Sequence, residues 1–271
     1  MRVDRAFLAA SLALVVAGGL VACSDGEPRR PAAATRYKPA NLTEAVLLDD
    51  RTAVENFLAL GADPNEAEPD GTTPLMRAVH GGFHEIADEL IAAGASVSAT
   101  NHYGVSALYL AARGGDVVAT KTLLAARADA NTALPSGETA LMTAAKNGNA
   151  ATVRALLTGG ADDISLVQLA RERVTASVAE ASGYSTPFNP TAPRNYADVN
   201  ARERWYGRTA LMLAAAEGHA DVVQLLIEAG SDIEATDEEG STALWLARSA
   251  GHLDVAAMLA AAGAADTPSG G

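Results

Sequence analysis

The chain has one cysteine, two tryptophans and only 4% aromatic residues over 271 positions. So few large rings, beside abundant alanine and leucine, favour closely packed helices over a β-sandwich. A lone cysteine has no partner within the chain and needs a separate explanation. Cations are scarce as well, with 20 Lys+Arg against 33 Asp+Glu and a net charge of −13. An acidic body repels nucleic acid and anionic lipid surfaces, so neither is expected as a partner; it would steer a basic protein towards it or, alternatively, serve solubility alone. No G-x-S-x-G, H-E-x-x-H or phosphate-cradling glycine loop occurs.

The five histidines do not repair that absence. His219 and His252 each follow a glycine and stand one repeat apart, which is a structural position. His80 and His84 straddle Gly81-Gly82, a turn that keeps them off a common helix face, and no third ligand accompanies them. The acidic clusters Asp162-Asp163 and Asp237-Glu238-Glu239 read as solvated turns without calcium-loop spacing. No catalytic residue, metal or cofactor is expected.

What the chain does contain is repetition. TALMLAAAEGHADVVQLLIEAG from Thr209 to Gly230 is nearly spelled again from Thr139, TALMTAAKNGNAATVRALLTGG. The glycines before each such phrase, Gly71, Gly104, Gly137, Gly207 and Gly240, stand 33, 33, 70 and 33 residues apart. Val222, Val223, Leu225 and Leu226 give the second helix of a copy one broad apolar face, against which Ala214 and Ala215 of the first helix can pack. Thr209 is placed to cap the first helix, and Gly218 and Gly230 to end the two helices. One such unit cannot bury its apolar face alone; stacked copies form each other's core.

The phrases Thr73-Pro74-Leu75-Met76, Ser106-Ala107-Leu108-Tyr109, Thr139-Ala140-Leu141-Met142, Thr209-Ala210-Leu211-Met212 and Thr242-Ala243-Leu244-Trp245 resemble the ankyrin repeat signature T-P-L-H-x-A-A. Its histidine is replaced in every copy, so more apolar packing between repeats is expected. With a degenerate opening copy from Asn41 to Asn65, the resemblance implies an all-α solenoid: repeats 1–4 over 41–163, repeats 5–6 over 197–266, and a tail at 267–271. The surplus at 164–196 reads as an insertion or, alternatively, a decayed repeat; Pro187, Pro190 and Pro193 oppose the outer helix that a further repeat needs. Ile164, Val167, Val174 and Val178 recur at helical spacing, which predicts a helix to about Ser182.

The N-terminus carries a different signal. A short charged opening precedes FLAASLALVVAGGLVAC from Phe7 to Cys23, which reads as a signal peptide over 1–22. Leu20-Val21-Ala22-Cys23 resembles the lipobox of bacterial lipoproteins, which implies lipidation of Cys23 and a mature chain of net charge −14. Ser24 after the cysteine resembles the outer-membrane pattern more than the inner, although Asp25 follows. Residues 23–40, lipidated cysteine and tether, hold three prolines and no hydrophobic period, and as a flexible coil reach roughly 20 Å. The expectation is a periplasmic, lipid-anchored monomer.

Ankyrin arrays grip protein partners with hairpin tips and the exposed ends of their first helices. By phase, the resemblance implies Asp70, Thr72 and His80, then His102, Tyr103, Val105 and Arg113, then Glu138, Lys146 and Asn147. Trp205, Tyr206, Arg208 and Glu217 follow, then Glu238, Glu239, Ser241 and Ser249. Tyr103, Trp205 and Tyr206 stand out because Tyr, Trp and Arg dominate interfaces. The alternative is that they pack on Tyr184, Phe188 and Tyr196 of the insertion. The expected role is a non-catalytic adaptor or scaffold in the bacterial envelope. Alternatives are an immunity or inhibitor protein against an envelope-acting toxin or hydrolase, and a structural cell-wall-associated protein.

Overall fold

The computed structural model describes residues 38–161, 165–166 and 196–265. These fall, Lys38 apart, within one unit, Pro39–Gly271, separate from Met1–Lys38. The expected signal peptide, Cys23 and the tether up to residue 37 therefore lie outside the described residues, as do Asp162-Asp163 and the helix predicted to Ser182 save for residues 165 and 166. No described helix is long and apolar enough to cross a membrane.

Twelve helices are described, in pairs. They are α1 (Leu42–Leu47) and α2 (Arg51–Ala59), α3 (Pro74–Gly81) and α4 (His84–Ala92), and α5 (Ala107–Gly114) and α6 (Val117–Ala125). Then come α7 (Ala140–Lys146) and α8 (Ala150–Thr158), α9 (Ala210–Glu217) and α10 (Ala220–Glu228), and α11 (Ala243–Ala250) and α12 (Leu253–Ala261). The described residues contain no strand, only isolated bridges such as Ala133 with Thr139 at the foot of a tip.

Asn41 caps α1 by accepting from Glu44 N, and each later inner helix starts where a hydroxyl residue caps it. Thr73, Ser106, Thr139, Thr209 and Thr242 accept from the amides of Met76, Tyr109, Met142, Met212 and Trp245 at 3.2–3.4 Å. Four outer helices lack that local cap: Phe83 has no acceptor to offer, and Asn149, His219 and His252 make no cap bond with their side chains. Asn149 instead donates to Ala112 O, and the His219 ring nitrogen meets Lys146 O at 2.9 Å. These side chains join successive repeats, which is why the histidine position recurs with the repeat.

The inner helices stack in the order α1, α3, α5, α7, α9, α11, and the outer helices stack behind them. Leu75, Leu108, Leu141, Leu211 and Leu244 occupy one position of the phrase, and all are at most 2% exposed. Val222, Val223, Leu225 and Leu226 are buried together, as their spacing predicts. At the signature-histidine position Met76, Met142 and Met212 are buried and Tyr109 is half-buried. Trp245 departs from that pattern at 45% exposed, since no described repeat covers the last one.

Repeats four and five touch directly although 33 residues, 164–196, lie between their segments. Helix α7 packs on α9 and α8 on α10. Arg204 N donates to Ser136 O at 2.7 Å, the same tip-to-tip bond that His102 N makes to Asp70 O and Glu238 N to Tyr206 O. Asn131 clasps the far side, donating to Tyr196 O and accepting from Asp198 N. Asn65 with Ser96, and Asn200 with Asp232, form the matching bonds elsewhere.

Candidate functional site

The tips are built by short side chains that satisfy turn amides. Asn101 accepts from Tyr103 N and Val105 N, and its own amide donates to Val105 O. Asp237 does the same for Glu239 N and Ser241 N. Asp70 accepts from Thr72 N, and bonds to the amide and hydroxyl of Thr72 hold its carboxyl below the usual range.

The fifth tip differs. Gly71, Gly104, Gly137 and Gly240 follow Asn65, Ser98, Asn131 and Glu234 by six residues, whereas Gly207 follows Asn200 by seven. The turn widens accordingly: Gly207 N donates to Glu203 O, four residues back, where Gly104 N reaches Asn101 O, three back. The longer glutamate suits the wider loop, since the Glu203 carboxylate accepts from Trp205 N, Tyr206 N and Arg208 N at 2.7, 2.6 and 3.3 Å. The extra residue leaves Trp205 69% and Tyr206 52% exposed. Arg208 sits 5.0 Å from the Tyr206 ring centroid and holds the Asp237 carboxylate of the next tip at 3.3 Å. Arg202 braces the loop by donating to Gly207 O and Thr236 O.

Two rows of side chains share the inner-helix face with these tips. Arg77 bonds both carboxylate oxygens of Glu68 in its own tip, so this position of the helix faces the tip. A residue three further on lies on the same face, which places His80, Arg113 and Lys146 there, all exposed. Between them Leu110 and Leu213 give a half-buried apolar floor.

The implied binding residues divide into two groups. His102, Tyr103, Arg113, Lys146, Asn147, Trp205, Tyr206, Glu217, Glu238, Glu239, Ser249 and His80 are exposed. Thr72 and Ser241 are buried in their tips, while Asp70, Val105, Glu138 and Arg208 are half-buried. The Glu138 carboxylate accepts from the Thr143 hydroxyl of its own repeat. Asp237, expected as part of a solvated turn, is 5% exposed because Arg208 and two amides take its carboxylate inward. Sequence reasoning missed Glu203 and the widened tip, and the Asn200-to-Gly207 count was the available signal. His84 pairs with Asp116 at 2.7 Å and not with His80. Among the described residues no group of three or more His, Cys, Asp or Glu is placed to hold a metal.

Paired helices, alanine-lined stacking and hairpin tips define a repeat solenoid, and the comparisons identify the repeat. Residues 42–133 and 178–268 match ankyrin repeats (3 copies), and residues 136–167 match the ankyrin repeat. The chain belongs to the ankyrin-repeat family. That family is a protein–protein interaction module and generally a non-catalytic binding scaffold. The second matched stretch begins inside the surplus segment 164–196, while the described helices on either side of that segment stack directly on one another.

Proposed function

We propose that this chain is a non-catalytic adaptor that grips a protein partner through its tips and inner-helix face, held at a bacterial envelope membrane by lipid on Cys23. The carrying observation is the fifth tip, where one added residue presents Trp205 and Tyr206 to solvent on a loop braced by Glu203, Arg202 and Arg208. Exposed Trp and Tyr on a rigid loop supply contact area at low ordering cost. A further exposed aromatic tip residue, Tyr103, stands two repeats earlier at 67% exposed. The lipid anchor rests on the lipobox-like Leu20-Val21-Ala22-Cys23 and the proline-bearing segment after it.

The test is affinity capture from the native envelope extract with Trp205→Ala/Tyr206→Ala beside the unaltered chain. One protein should be retained stoichiometrically, and the double variant should lower its retention at least about tenfold while far-UV circular dichroism stays unchanged. Equal retention by a folded variant would remove the fifth tip from the binding surface. Metabolic labelling with palmitate separately checks the anchor: label is expected on the wild-type chain and not on Cys23→Ser.

A further inference from the structure

The net charge of −13 points to a basic partner, but the inner face carries the opposite local pattern. Successive repeats present His80, Arg113 and Lys146 at one position of their stacked inner helices. Arg204 projects from the fifth tip, exposed. Among the described residues, none of the charged groups of Arg113, Lys146 and Arg204 meets a carboxylate. Beside this row in repeats two to four, the carboxylates of Glu68, Asp70 and Glu138 are engaged by Arg77, Thr72 and Thr143, whereas Glu217, Glu238 and Glu239 stay exposed in repeats five and six. The fold does not demand these cations, since Ala216 and Ser249 hold the same position in repeats five and six.

Distance decides which field a ligand feels. At physiological ionic strength charges are screened over about 8 Å. The outer-helix carboxylates Glu85, Asp88, Asp221 and Asp254 stand behind a helix layer about 10 Å thick. A segment lying on the inner face therefore meets Arg113 and Lys146 more strongly than the acidic bulk.

We propose, building on the protein-binding reading above, that repeats two to four bind an extended acidic segment of the partner. Stacked helices lie about 8–10 Å apart, and an extended chain in the polyproline II conformation advances about 3.1 Å per residue with every third side chain on one face. Carboxylates at every third residue thus match His80, Arg113 and Lys146 in register. The apolar side chains between them rest on Leu110, and the aromatic tips flank the segment.

Fluorescence anisotropy with labelled peptides of about twelve residues, enough to cross three repeats, tests this on the full chain. One peptide carries Glu at every third position, and two others carry Gln or Lys there. The Glu peptide should bind at least about tenfold more tightly than either. Arg113→Glu/Lys146→Glu should abolish that preference, and Arg154→Glu on the outer helix should leave it intact. Absent binding of the Glu peptide, equal binding of the Gln peptide, or equal loss in Arg154→Glu would overturn the acidic segment. In that event, capture still sensitive to Trp205 and Tyr206 would leave the adaptor reading standing.

Discussion

Leu211→Ala is expected to destabilise the array by about 2–5 kcal/mol, the range for a fully buried leucine whose cavity cannot collapse. Leu211 is 1% exposed in α9, which is packed between α7 and α11 and against α10, so three neighbouring helices hold its surroundings in place. Leu244, at the same position of the last repeat, has a neighbouring repeat described on one side only, and its removal should cost less. Because repeat arrays are stabilised by nearest-neighbour interfaces, the loss should also divide the unfolding. Both tryptophans, Trp205 and Trp245, lie in repeats five and six. Urea unfolding followed by tryptophan fluorescence should shift to lower denaturant and separate from the far-UV circular dichroism transition. Coincident, unshifted transitions would contradict this packing.

Gly137→Ala should cost about 2–4 kcal/mol through two additive effects, a left-handed backbone and an overpacked contact. Gly137 has φ +81°, and an added Cβ would lie 2.9 Å from Arg204 N and 3.2 Å from Glu203 Cα. Those are backbone atoms of the fifth tip and cannot swing aside. Gly61→Ala isolates the first effect, for Gly61 has φ +86° with nothing within 4 Å of a new Cβ. It should cost only about 1 kcal/mol. Thermal melts of the two variants should therefore differ clearly. Equal shifts would mean that tips four and five do not dock as the Arg204–Ser136 bond indicates.

The repeat was legible because its cause is local. A threonine that caps, an alanine-rich helix, a glycine and a second apolar helix must recur every 33 residues if each copy is to cover the next. The site was less legible because it depends on pairing across repeats. Arg208 and Arg113 are equivalent as letters, yet Arg208 is taken by Asp237 and Tyr206 while Arg113 meets no carboxylate among the described residues. Asp237 and Glu238 are adjacent in sequence, yet one is buried and the other exposed. Net charge likewise hid the cations of the inner face, since it sums groups that screening keeps apart. Measuring from glycine to glycine merged the extra tip residue with the longer surplus after repeat four.

The central claim is that the tips and inner helices of this ankyrin array are its binding surface. Hydrogen–deuterium exchange of the full chain, free and bound to the protein it retains, tests it most directly. Slower exchange is expected in 101–113, 134–147 and 203–217, with the outer helices α6, α8 and α10 unchanged. Protection confined to those outer helices, with the Trp205–Tyr206 tip exchanging as in the free chain, would contradict the account.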